Sequence, residues 1–186
     1  MISPAKVLRT LYNAKIKFVL MGTHGLATWR KHPRATEDVD ILVALSNVKK
    51  AVKVLHEAFP KLEVVDASVV TRFVHPKTKR PVIDLMKPVQ DVFRLALRHV
   101  VAIDDYQSIP TLEMALISKF AAMISPNRRG PKKMIDAGDF MQMTLSNAGE
   151  IDMKKLKRFA ESVYQGAAEQ VEKMVLDVLA GKTLRV

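Results

Sequence analysis

Two stretches decide how this chain folds: Phe18-Val-Leu-Met-Gly-Thr-His-Gly-Leu-Ala27 and, after a short connection, Asp38-Val-Asp-Ile-Leu-Val-Ala44. In the first, the apolar run Lys17-Phe-Val-Leu-Met21 is broken at Gly22, which predicts a short buried strand. A helix beginning at the strand's end then runs through Thr23 to about Trp29. Lys31 to Glu37 contains Pro33 and reads as a loop, because proline drives its predecessor out of the helical region. The second stretch is polar at its start and then continuously apolar, the pattern of a strand at the centre of a sheet.

The same logic extends outward. Ser3 and Pro4 cap a helix over 3–14 carrying Val7, Leu8 and Leu11. Ser46 caps a second helix over 47–58, with Val48, Ala51, Val52, Leu55 and Phe59 on one face. Residues 62–65 and 69–75 are strand-like, Pro76 to Pro81 is a turn, and Val82-Ile-Asp-Leu-Met86 returns as a strand, making a hairpin. Helical periodicity resumes after Pro88, with Val92, Leu95 and Ala96. Residues 100–110 are expected to be an irregular connection. Thr111 caps a helix to about Met123, a basic loop follows from Asn127, and helices cover 132–145 and parts of 152–180. The expected fold class is therefore α+β, a mixed-sheet core over 1–108 followed by a helical C-terminal part over 109–186.

Composition narrows the chemistry. The chain has 186 residues, 48% of them hydrophobic, which excludes disordered and fibrous classes. With no cysteine there is no disulfide, zinc–thiolate site or thiol nucleophile. Any metal must be held by oxygen or imidazole. The N-terminus lacks the apolar run of a secretory signal, and no stretch approaches the ~18 apolar residues of a membrane span. The expectation is a soluble, cytoplasmic protein without a membrane partner. Thirty Lys and Arg against 19 Asp and Glu give a net charge of +11, which favours a polyanionic partner.

Three acids carry the candidate chemistry. Asp38 and Asp40 stand two apart at a strand start, so both carboxylates point to one face. Asp84 lies inside an apolar strand and needs a cationic partner. If its strand lies beside the first two acids, the three form an all-oxygen cluster suited to Mg²⁺. At Gly22-Thr-His-Gly25, a strand-to-helix turn offers backbone N–H groups and the Thr23 hydroxyl to a phosphate. His24 follows that turn. The remaining histidines have no metal-ligand spacing, and Met114, Met123, Met134, Met141 and Met143 are expected to pack the helical core.

Strand, glycine turn, helix and then Pro33-Arg-Ala-Thr-Glu-Asp-Val-Asp-Ile-Leu-Val43 together resemble the nucleotidyltransferases of the DNA polymerase β superfamily. The pattern is similar to the small abortive-infection (AbiE toxin) type. Pro110-Thr-Leu-Glu-Met-Ala-Leu-Ile-Ser-Lys119 and Lys132-Lys-Met-Ile-Asp-Ala-Gly-Asp139 resemble its later segments, and the resemblance spans about residues 15–145. It implies that Gly22 and Thr23 bind the triphosphate and that Arg34 and Thr36 orient the nucleotide. Asp38 and Asp40 would then hold Mg²⁺, with Asp84 as third ligand and base. Lys119 would contact phosphate, and Asp136 and Asp139 would be structural partners of nearby bases. The turn departs from the family by having Gly-Thr where Gly-Gly or Gly-Ser is commoner. The implied reaction moves a nucleoside monophosphate from a nucleoside triphosphate such as ATP to an acceptor hydroxyl. Net charge and resemblance point to RNA, tRNA included, as acceptor, and to a toxin with an antitoxin partner. The rival reading is a noncatalytic nucleic-acid- or protein-binding scaffold with the same fold.

Overall fold

The structure is a computed structural model that describes residues 2–32 and 34–184; Pro33 of the expected loop lies outside them. The chain divides into two compact units, Met1–Ala27 with Arg34–Pro110, and Thr28–Pro33 with Thr111–Val186.

In the first unit, α1 (Pro4–Asn13) ends at Ala14, and Lys15 takes a left-handed turn (φ 54°) that launches β1 (Phe18–Leu20). Next come α2 (Gly22–Leu26), a 3-10 turn at Ala27–Trp29, and β2 (Val39–Val43). The unit continues with α3 (Val48–Ala58), β3 (Glu63–Asp66), β4 (Val70–Val74), β5 (Pro81–Met86) and α4 (Asp91–Ala96). It closes with the short strands β6 (Val100–Ala102) and β7 (Ser108–Pro110). The main sheet has the order β1-β2-β5-β4-β3, in which β2 and β5 are parallel and the other neighbours antiparallel.

Alternation along the central strands sorts the side chains. Ile41, Ile83, Leu85 and Phe73 are fully buried on one face. Removing each such side chain from water stabilises the fold by about 1.5–3 kcal/mol. Asp40, Asp84 and Arg72 alternate with them and lie in one row, since Asp40 pairs in register with Asp84, and Asp84 with Arg72. α1 and α3 pack on each other, burying Val7, Leu8 and Leu11 on one and Ala51 and Leu55 on the other.

The second unit is helical: α5 (Leu112–Ile124), α6 (Gly130–Ser146), α7 (Met153–Ala160) and α8 (Ala167–Leu179). Thr111 caps α5 as expected, its hydroxyl accepting from the Met114 amide. The core is built from Leu116, Ile117 and Phe120 of α5, Phe140 and Met143 of α6, Phe159 of α7, and Val171 and Val175 of α8. Phe120 stacks on Tyr164 with ring centroids 6.3 Å apart.

Several expectations fail. Ser3 stands at the N-cap of α1 but its side chain makes no capping hydrogen bond, so Pro4 in the first turn starts that helix. Ser46 lies inside a 3-10 turn, Leu45–Asn47, and Asn47 takes the N-cap of α3. Residues 100–110 are not irregular: Val100–Ala102 pairs antiparallel with Ser108–Pro110, and Asp104 accepts from the Tyr106 and Gln107 amides to close the connecting turn. Met114, Met123 and Met143 are core residues, whereas Met134 is 68% exposed and Met141 half-buried. No helix among the described residues is long and apolar enough to cross a membrane.

Candidate functional site

The site grows from the junction of β1, α2 and β2. The Met21 amide donates to the Asp40 carbonyl at 2.8 Å, and the Gly25 amide to the Met21 carbonyl at 3.0 Å, tying the α2 turn to the middle of the sheet. Gly22 is left-handed (φ 56°), and a Cβ built on it would stand 1.8 Å from Asp40 Oδ2. Glycine is therefore required twice, for the backbone conformation and for room beside the carboxylate. Gly25 is required for packing, since its Cβ would meet the Leu20 carbonyl oxygen at 2.0 Å.

Asp38 immediately precedes β2, and its carboxylate accepts a hydrogen bond from the Thr36 hydroxyl. Burial pushes the His24 imidazole below its ordinary pKa, and the negative charge of Asp38 acts against that shift. So α2 meets both acids of the pair, through Gly22 at Asp40 and through the field of Asp38 at His24. Asp84 is brought beside Asp40 by the parallel register of β2 and β5. Its cationic partner, expected from its apolar surroundings, is Arg72 on β4, whose Nε lies 3.4 Å from Asp84 Oδ2. Arg80 is drawn instead to Glu37, also at 3.4 Å.

The nucleotide candidates separate. Gly22 and Thr36 stand against the acids. Thr23 is 7% exposed, so its side chain is largely turned into the protein, and Arg34 is exposed. Lys119 belongs to the helical unit, where it is buried and bonds Asp136 at 2.8 Å and Asp139 at 2.7 Å. Asp136 also receives Arg128 at 2.8 Å, and Asp139 receives Arg30 at 2.9 Å. Arg30 further donates from Nε and Nη2 to Gln142 Oε1. Asp136 and Asp139 are thus partners of Lys119, Arg128 and Arg30.

Sequence reasoning missed Arg30, which carries no local signal. Arg72 belongs to the basic hairpin, with Lys77, Lys79 and Arg80, that the sequence sets beside the acids, and it reaches Asp84.

The donor set is all oxygen, as a hard divalent cation requires. Asp40 and Asp84 are side by side on adjacent strands. Asp38 is bonded to Thr36 and Asp84 to Arg72, and among the described residues no three acids or histidines converge into a closed cation cage. The chemistry of the donors, three carboxylates of which two stand in register on neighbouring strands, fits a hard divalent ion.

No protein-family profile and no curated protein sequence matches the chain. Solved structures do. An antigenic nucleotidyltransferase-like protein from Paracoccidioides brasiliensis superposes with a TM-score of 0.50 over 91% of this chain and 88% of that one, at 16% identity. The fold is nucleotidyltransferase-like. The same nucleotidyltransferase-like fold aligns with a putative nucleotidyltransferase from Helicobacter pylori (TM-score 0.50, 18% identity, 94% of this chain and 87% of that one). It also aligns with the solution structure of the antibiotic-resistance factor ANT(2'')-Ia (TM-score 0.54, 10% identity, 95% and 94%).

Proposed function

We propose that this protein is a metal-dependent nucleotidyltransferase, transferring a nucleoside monophosphate from a nucleoside triphosphate to an acceptor hydroxyl. The observation that carries this reading is the side-chain-free Gly22 turn pressed against the carboxylate of Asp40, which itself lies in register with Asp84. Only glycine lets the backbone of the turn come this close to the carboxylate.

Asp38, Asp40 and Asp84 would hold Mg²⁺, which when bound draws negative charge off the triphosphate oxygens. The α2 turn presents Gly22 to the phosphates, with Arg34 and Thr36 on the approach to Asp38. The acceptor oxygen bonds to the α-phosphorus, the bond to the β-phosphate oxygen breaks, and pyrophosphate leaves. Asp84 accepts the proton of the acceptor hydroxyl. Arg72 keeps the Asp84 carboxylate on the face shared with Asp40. Lys119, buried between two aspartates, acts first as an organiser of the helical unit, and a phosphate would have to compete with both acids for it.

The net charge of +11 supports RNA, tRNA included, as the acceptor, and the resemblance supports a toxin acting in the cytoplasm beside an antitoxin. One observation favours the scaffold reading: two of the three carboxylates are engaged by Thr36 and Arg72. The test separates the two. The protein is incubated with Mg²⁺, each α-labelled nucleoside triphosphate, and tRNA or an aminoglycoside, beside Asp38→Asn and Asp40→Asn. Label transfer that both substitutions abolish is expected. No transfer in any combination, together with no triphosphate binding by calorimetry, refutes the enzyme reading.

A further inference from the structure

The turn between β4 and β5, residues 76–81, holds Lys77, Lys79 and Arg80 and no acid, and all three cations are exposed. Its shape is fixed from within. The Lys79 amide donates to the His75 carbonyl at 2.8 Å and the His75 amide to the Arg80 carbonyl at 2.9 Å, while His75 Nδ1 accepts from the Lys77 and Thr78 amides. The turn also stands beside the acids. Arg80 pairs at 3.4 Å with Glu37, the residue before Asp38, and Asp84 follows three positions after Pro81, about 10 Å along β5. Strand order gives this place its meaning: Gly22 follows β1 and lies against Asp40 of β2, whereas the turn joins β5 to β4 on the far side of Asp84. Across the sheet, the acids lie between the Gly22 turn and the basic hairpin.

In-line displacement at the α-phosphorus sets the attacking and leaving oxygens on opposite sides. With the leaving pyrophosphate on the Gly22 side, the acceptor enters from the hairpin side, an argument that rests on the nucleotidyl-transfer reading above. We propose that the β4–β5 turn grips the backbone phosphates of a single nucleic-acid strand whose terminal hydroxyl is the acceptor. Lys77, Lys79 and Arg80 supply the charge, and phosphates gain from meeting them by releasing counterions. The Arg80–Glu37 pair, with side chains 71% and 69% exposed, is weak enough for a phosphate to displace, as is the exposed Lys79–Glu63 pair. Because the turn is already ordered, little freedom is lost on binding. It has no Phe, Tyr or Trp on which a base could stack, so the grip is on phosphates and tolerates any base sequence. A polycationic acceptor such as an aminoglycoside would meet the same three cations and be repelled.

The test reads binding and transfer separately. A fluorescent single strand of about 12 nucleotides with a free terminal hydroxyl, made as RNA and as DNA, is titrated by anisotropy without triphosphate. The proteins are the full chain, Lys77→Gln/Lys79→Gln/Arg80→Gln and Lys49→Gln/Lys50→Gln/Lys53→Gln. The last removes the same charge from exposed positions of α3, away from the turn. All six side chains are exposed, so both variants are expected to keep their melting temperature. The hairpin variant should bind at least about tenfold more weakly and lose about two from the log–log salt slope, for three phosphate contacts, while the α3 variant binds as the full chain does. With Mg²⁺ and triphosphate added, the hairpin variant should raise KM for the strand and leave KM for the triphosphate unchanged; the strand that is extended, RNA or DNA, shows the source of the acceptor. Equal weakening by the two variants, undiminished binding to a folded hairpin variant, a salt slope near zero on the unaltered chain, or no strand binding overturns the proposal, even where label passes to some other hydroxyl. Hairpin-dependent binding of either strand with no transfer to any acceptor supports the grip and refutes the transferase reading instead.

Discussion

Replacing Gly22 with alanine should injure the site and largely spare the fold. Alanine in the left-handed region costs about 1–2 kcal/mol. The new Cβ would stand 1.8 Å from Asp40 Oδ2 and 3.0 Å from Asp40 Cβ, so the carboxylate end must swing away. Holding that side chain off its preferred rotamer adds about 0.5–1.5 kcal/mol. Against this, alanine narrows the unfolded ensemble by about 0.4–1 kcal/mol. The net is a destabilisation of about 2 kcal/mol, or a fall in Tm of about 4–8 °C for a chain of this size. The displaced carboxylate is the one proposed to hold metal, so Mn²⁺ titrated calorimetrically should bind at least about tenfold more weakly, a loss of about 1.4 kcal/mol. Gly25→Ala is the contrast. Its Cβ meets the Leu20 carbonyl, which is backbone and cannot rotate aside, so that variant should lose far more stability. Gly22→Ala with wild-type Mn²⁺ affinity, or with no loss of Tm, would refute the reasoning that joins turn to acid.

Other outcomes follow from the ionisable groups. Asp38→Asn removes the charge that opposes the burial of His24, so the His24 pKa should move further down, read by NMR titration of its ring protons; an upward or absent movement means the two side chains do not face each other. Because the folded His24 holds its proton less tightly than the unfolded chain, its contribution to stability is intact above its ordinary value near 6.5 and is lost as pH falls through the lowered folded value. Asp136→Asn leaves Lys119 and Arg128 without a full counter-charge in the helical core and should cost about 3–5 kcal/mol in denaturant unfolding; a cost under about 1 kcal/mol would mark the network as dispensable. Glu161 accepts from the Gly166 and Ala168 amides, both at 3.0 Å, and these bonds hold its pKa below 4.5. Its support of the α8 start should persist above pH 4.5 and fade as pH drops through the folded value, seen as faster amide exchange in α8 and absent in Glu161→Gln.

The central strands were legible because burial on a sheet writes itself into local sequence: Val39 to Val43 and Val82 to Met86 are near-continuous apolar runs interrupted only by the acids. The Thr111 cap was legible because side chain and amide are three residues apart. What local pattern does not contain is register. That Asp84 stands beside Asp40 depends on parallel pairing across more than 40 residues, and the same register brings Arg72 to Asp84. Gly22 reads as a turn from its neighbours, but its contact with Asp40 is visible only once β1 and β2 are joined. Met134 reads as core by composition, and only the packing of α6 through its other side turns it outward. The pairing over 100–110 escaped notice because three-residue strands are too short to show a period.

Arg30 has a consequence for how the protein can be taken apart. It reaches Asp139 across 109 positions of sequence (139 − 30), and the residues around it, Thr28–Pro33, belong to the helical unit although they lie between two elements of the sheet unit. The helical unit is therefore not a contiguous segment. A fragment beginning at residue 109 would contain every helix from α5 to α8 and still lack the guanidinium that Asp139 and Gln142 share. Such a piece carries a defect in its interior from the outset, so exchange of the C-terminal helices between related chains should succeed only when the few residues after α2 travel with them.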